Sequence, residues 1–157
     1  MERRTRIVVG VDGSEHSHRA LEWAIREAAR WGATVTVLHA WRFGVSPTDP
    51  NAAEATREIG RAAQHLVDHE VAFACEAGID AAGVVVFDGA ARALTDAAAD
   101  ADLLVVGSHG RGAVAATILG SVSQACVRHA RCPVVVVPDT AAVTVDGTDQ
   151  RTVSAGR

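Results

Sequence analysis

Nowhere in the 157 residues is there an apolar run approaching the roughly eighteen that a membrane-spanning helix needs. The amino end, MERRTRIVVGVDG, is basic and then apolar in the manner of an export leader. Its apolar run is only about five residues before Asp12, short of a leader's usual core. Positive charge is not in excess. A formal net charge of -4 and a pI near 5.9 leave no basic footprint and argue against nucleic acid as the main partner. Cysteine is scarce, with Cys75, Cys126 and Cys132 forming an odd, unevenly spaced set. That argues against a disulfide framework and fits a reducing compartment. A soluble, cytoplasmic protein with no membrane partner is the expectation. No G-K-[ST] occurs, which excludes a Walker A kinase or ATPase. The segment Val11-Asp12-Gly13-Ser14-Glu15-His16-Ser17 also lacks the first serine and paired glycines of a pyrophosphatase-type PP-loop.

What the chain does have is enough apolar residue for one core, 48% of the total, and a glycine-rich centre. That centre runs from Asp102 to Ser123, DLLVVGSHGRGAVAATILGSVS. Leu103 to Val106 has the length and composition of a fully buried strand. Gly107, Gly110 and Gly112 follow it, and nine residues separate Gly110 from Gly120 and Ser121. Glycines at the mouth of a strand let the chain turn sharply and let a ligand approach the backbone. Ser121 and Gln124 form an S-x-x-Q pair that reads as a capping box opening a helix. The free N–H groups and positive dipole end of such a helix suit phosphate. Two glycines alone would be explained by an ordinary βα turn; the second glycine-serine pair is what favours a phosphate cradle.

The spacing G-x2-G-x9-G-S on Gly107, Gly110, Gly120 and Ser121 resembles the ATP-binding signature of the universal stress protein family. The flanks DLLVVGSHGRG and GSVSQACVRHARCPVVVV are similar to that family as well, as is IVVGVDGSEHSHRALEWA near the amino end. The resemblance extends from about Arg6 to Pro138. It implies a single-domain, Rossmann-like α/β fold with a five-stranded parallel sheet in the order 3-2-1-4-5. It also implies ATP as ligand, with Mg2+ as a candidate companion, and a homodimer paired through the last strand.

Taken in order, Ile7 to Val11 reads as a buried strand, ended by Asp12-Gly13-Ser14 with its helix-capping side chains. Leu21, Ala24, Ile25 and Ala28 fall at helical spacing, and Gly32 stops that helix. Ala33 to Ala40 is a second strand. After a polar loop with Pro47 and Pro50, a long helix runs from about Asn51 to Cys75, its expected buried stripe being Ala55, Ile59, Ala62, Leu66 and Phe73. A third strand lies within Ile79 to Phe87, and a helix spans about Ala90 to Ala99. A helix follows Ser121. Pro133 then admits a final strand, Val134 to Val137. Alternating strands and helices mean a parallel sheet covered on both faces. Residues 1–138 are expected as the domain and 139–157 as a loose tail.

In such a sheet, ligands sit beyond the carboxyl ends of the strands, where strand order reverses. With the implied order, Gly10, Val11 and Asp12 end one strand beside Val106 and Gly107 of its neighbour. Asp12 suits hydrogen bonds to a base, a ribose or magnesium, its bland alternative being a helix cap. By the resemblance, Asp12 and Ala40 lie at the adenosine end, Gly107 and Gly110 near ribose and phosphate, and Gly120, Ser121, Val122 and Ser123 at the phosphate-facing turn. His109, Arg111 and Gly112 belong to the glycine loop; Arg111 is either a phosphate partner or a solvated cation. His109 has no evident carboxylate partner in sequence, so no general base is assigned and no catalytic residue is expected. His65 and His69 have zinc-compatible spacing, but no third ligand accompanies them, and a solvated helix face explains them better. Trp23, Trp31 and Trp41 are helix–sheet packing residues first and base-stacking candidates second. Where family members usually carry Gly, a small polar residue and Pro, this chain has Asp88-Gly89-Ala90. The expected function is an ATP-binding stress-response or regulatory module. The alternatives are a slow ATP-hydrolysing enzyme and a nucleotide-independent interaction protein.

Overall fold

The computed structural model describes residues 4–42, 48, 50–111 and 119–139. Its elements alternate as the sequence pattern requires: β1 (Arg6–Gly10), α1 (Glu15–Trp31), β2 (Thr34–Trp41), α2 (Ala52–Glu76), β3 (Ala81–Phe87), α3 (Ala90–Ala97), β4 (Leu103–Gly107), α4 (Ser121–His129) and β5 (Val134–Val137). All strands are parallel and ordered β3-β2-β1-β4-β5. The reversal of direction therefore falls between β1 and β4, whose registers pair Ile7 with Leu103 and Val9 with Val105.

The apolar runs of β1 and β4 become the two central strands because both of their faces are covered. Ile7, Val9, Val35, Val37, Leu103 and Val105 pack against α1 and α2, while Val8, Leu38, Leu104 and Val106 pack against α3 and α4. Every residue of β4 is buried. A continuous apolar run is what a strand enclosed on two sides requires.

Local chemistry sets the helix ends. Ser14 caps α1, its hydroxyl accepting the Ser17 N–H, and Gly32 closes the helix in the left-handed region at φ 61°. The buried face of α1 is Ala20, Leu21, Ala24, Ile25 and Ala28, as the spacing predicts.

Three details differ from the sequence expectation. The buried stripe of α2 is Ala63, Val67, Glu70 and Ala74, and Ala62 is exposed. A helix apolar on several sides does not declare its phase, and here a His18–Glu70 contact of 2.9 Å draws the carboxylate inward. Ser121 is the first helical residue of α4 and not its cap; Gly120 holds the cap position, with no side-chain cap bond. Gln124 accordingly bonds the Leu119 carbonyl, at 2.9 Å, in place of a capping box. The helix after β3 ends at Ala97, two residues early. Pro47, Gly112 and the tail from 140 onward lie outside the described residues.

Candidate functional site

A cleft of about 640 Å³ opens over the carboxyl ends of β1, β2 and β4, within the usual range of a small-ligand site. Its walls contain nearly every residue singled out from the sequence. Gly10, Val11 and Asp12 come from β1 and its loop, Ala40 from β2, and Val106 and Gly107 from β4. His109, Gly110 and Arg111 follow from the loop after β4, and Gly120, Ser121, Val122 and Ser123 from the start of α4. Gly112, the remaining residue of the glycine loop, lies outside the described residues.

Two loops are locked together across this cleft by Asp12. Its Oδ1 accepts the Ser14 N–H at 2.9 Å, and its Oδ2 accepts the Arg111 N–H at 2.9 Å. The Asp12 N–H in turn donates to the Ser17 hydroxyl at 3.1 Å. Partial burial alone would push the carboxyl upward. The hydrogen bonds from Ser14, and then from Arg111, outweigh that effect and hold it below its ordinary value. Asp12 is thus a fixed carboxylate at neutral pH, with lone pairs left for a hydroxyl or a cation. The cap assignment goes to Ser14, two residues later.

The glycines are demanded by close approach. A Cβ on Gly107 would lie 2.9 Å from the His16 carbonyl oxygen, and one on Gly110 would lie 2.6 Å from Asp12 Oδ2. Neither contact is tolerable as it stands: at Gly107 the neighbour is backbone, and at Gly110 it is the Asp12 carboxylate, held in place by the Ser14 and Arg111 N–H groups. Gly120 is less tightly enclosed, at 3.3 Å from the Ser108 oxygen.

Ser108 connects three elements. Its carbonyl accepts the Gly120 N–H at 2.7 Å, and its own N–H donates to the Val137 carbonyl at 2.8 Å. Buried Ser123 donates its hydroxyl to the Gly107 carbonyl at 2.7 Å, so that hydroxyl secures the loop to α4 and is turned inward. The amides of the first turn of α4, which have no intrahelical acceptor, border the cleft beside Gly107 and Gly110.

The opposite wall is lined by His39, Trp41, Arg42 and Ile59; of these the sequence marks only Trp41, as a base-stacking candidate, and gives no site signal for the other three. His39 Nδ1 lies 2.7 Å from the Val11 carbonyl oxygen. Trp41 sits edge-on to Phe87, with ring centroids 4.8 Å apart. A histidine within an apolar β2 carries no spacing signal, because only strand order brings it beside Val11. Of the other tryptophans, Trp23 packs partly on the core and Trp31 is half exposed. His65 and His69 are exposed on α2, and no metal-binding group of three such side chains occurs among the described residues. Cys126 is fully buried within α4, and burial pushes its thiol up to about 11, which marks a packed thiol. No helix among the described residues is long and apolar enough to cross a membrane.

The comparisons with known proteins agree with this architecture. The model of the universal stress protein family matches residues 3–138. A universal stress protein of Mycobacterium tuberculosis is 37% identical over 134 residues, covering 83% of this chain and 44% of that protein. The chain spans less than half the length of the curated relatives it matches. Among solved structures, a universal stress protein in complex with cAMP is 30% identical with a TM-score of 0.67, covering 85% of this chain and 96% of that one. A universal stress protein family protein of Arabidopsis thaliana with AMP bound is 25% identical with a TM-score of 0.63, covering 91% and 97%. With the family match spanning the sheet and the whole cleft, the chain belongs to the universal stress protein family.

Proposed function

We propose that the chain binds an adenine nucleotide, ATP above all, in the cleft over β1 and β4 and serves as a nucleotide-dependent regulatory module. The observation that carries this reading is the junction of three features in one cleft: the Gly107–Gly110 loop, the amide-rich start of α4 and the fixed Asp12 carboxylate. Backbone amides at a helix start recognise phosphate without needing a side chain, and glycine is what lets a ligand come close enough to use them. The cleft volume and this donor set fit a nucleotide. Ser121 and Val122 would meet the phosphates through their N–H groups, and Asp12 would meet a ribose hydroxyl or a phosphate-bound Mg2+. The relatives solved with cAMP and with AMP support an adenine nucleotide in general, and the G-x2-G-x9-G-S spacing is the reason to name ATP.

Binding rather than turnover is the proposed output. A carboxylate whose pKa is lowered, and which already accepts two backbone N–H groups, is a weak proton acceptor at neutral pH. The signal would leave through Ser108, which ties the phosphate end of the cleft to the end of β5. β5 is an edge strand, and pairing of two such edges would make the proposed homodimer.

Native mass spectrometry of gently purified protein tests the reading. The expected result is a co-purified adenine nucleotide that dialysis removes and added ATP restores. A preparation that neither carries nor acquires any nucleotide would count against it.

A further inference from the structure

His39 stands near the carboxyl end of β2, on the wall of the cleft that lies across β1 from the glycine loop's own strand. Its Nδ1 is 2.7 Å from the Val11 carbonyl oxygen. A carbonyl oxygen can only accept, so Nδ1 carries the proton and donates. In the neutral ring this leaves Nε2 as a bare acceptor. Among the described residues no group hydrogen-bonds Nε2, and the ring lines the cleft, so that acceptor is open to a ligand. The neighbourhood makes it selective. Ile59 and Trp41 line that wall beside it with largely apolar side chains, and Arg42, the charged side chain of that wall, can only donate, so it does not compete with Nε2 for a ligand's donor.

We propose that His39 is a specificity-determining residue of the nucleotide site. Val11 fixes its tautomer, and Nε2 accepts a hydrogen bond from an N–H or O–H group of the bound nucleotide. This rests on the nucleotide reading above and adds the part of the ligand that is read. The shared chemistry is a single donor, supplied either by the exocyclic amino group of adenine or by a ribose hydroxyl. An acceptor-only nitrogen favours a base that offers an amino group over one that offers a carbonyl at the same place. The discrimination arises because the mismatched ligand leaves two acceptors facing each other.

Asparagine separates the two functions of the ring. Its amide nitrogen falls where Nδ1 lies and can still donate to the Val11 carbonyl, but it has no atom in the position of Nε2. Calorimetric titrations of the full chain and of His39→Asn with ATP, inosine triphosphate, 2′-deoxy-ATP and 3′-deoxy-ATP provide the test, with thermal unfolding as a check that the variant folds. Wild type should bind ATP about tenfold more tightly than the one analogue that lacks the donor read by Nε2. His39→Asn should weaken ATP by a similar factor and bind that same analogue and ATP equally. Loss with inosine triphosphate identifies the amino group, and loss with a deoxy analogue identifies the hydroxyl. Adding ATP should also move the ¹⁵N resonance of the unprotonated Nε2 in the wild type. If wild type binds ATP and His39→Asn retains the full affinity and the full discrimination, His39 has no such role. If wild type binds none of the four, the nucleotide reading itself fails, and this assignment with it.

Discussion

Asp12 and Arg111, separated by 99 positions in the chain, meet through a 2.9 Å hydrogen bond from the Arg111 N–H to Asp12 Oδ2. The contact closes the loop after β1 onto the loop after β4 at the one place where the sheet reverses its strand order. It exists because Gly110, immediately before Arg111, has no side chain to keep the carboxylate away.

Gly110→Ala should therefore break this latch, since the new Cβ would start 2.6 Å from Asp12 Oδ2. Overpacking of this kind costs about 1–3 kcal/mol, which chemical denaturation would register as a lower midpoint with an unchanged slope. Nucleotide affinity should fall with it. A variant as stable as the wild type would show that the loop relaxes freely and that the Asp12 contact positions nothing.

The same carboxylate makes stability depend on pH in a defined direction. Its pKa in the folded chain is below the ordinary 3.8, so the folded state binds this proton more weakly than the unfolded state does. The contribution is complete above about pH 4 and is lost as the pH falls through the folded value. Asp12→Asn cannot titrate there. Denaturation at neutral pH should find the wild type more stable than Asp12→Asn, with the gap narrowing in acid. A gap that is constant down to pH 2 would refute this account of Asp12.

Assembly can be tested on the main chain of β5. The Pro133 carbonyl accepts from Leu104 of β4 and the Val137 carbonyl from Ser108 just after it, so the alternation of the strand turns the N–H and C=O of Val134 and Val136 outward. Val136→Pro removes one outward donor and leaves the β4 ladder intact, as proline is tolerated on an edge. Light scattering should show a dimer for the wild type and a folded monomer for the variant. A variant that stays dimeric would move the interface to another surface.

The fold was legible because its two central strands announce themselves. Ile7–Val9 and Leu103–Val106 are apolar throughout, as strands buried on both faces must be, and Gly32 and Ser14 punctuate α1 where the structure puts its ends. The glycine half of the cleft was legible for a related reason: Gly107, Gly110 and Gly120 record close approaches that only glycine permits, and spacing preserves that record. The other half was legible only at Trp41, a base-stacking candidate. His39, Trp41, Arg42 and Ile59 come from β2, its following residue and α2, and only the tertiary arrangement makes them neighbours. The phase of α2 was lost because alanines lie on several of its faces and the buried Glu70 has a partner on another helix. A serine and a glutamine at the spacing of Ser121 and Gln124 point to a capping box, but Gly120, bonded to Ser108, takes the cap position.

The central claim, that phosphate is held where the glycine loop meets α4, is tested most directly by calorimetric titration of ATP into the wild type and into Gly120→Val. Gly120 has a φ of -70°, which any residue adopts; an added Cβ would meet the Ser108 oxygen at 3.3 Å, a tight contact that a shift of a few tenths of an ångström relieves, so thermal unfolding accompanies the titration as a check that the variant folds. Its branched side chain would nevertheless stand at the mouth of the amide cradle. The account predicts micromolar-range binding by the wild type and a loss of about tenfold or more in the variant, the cost of holding phosphate away from its amides. Equal affinity in the two proteins would contradict it.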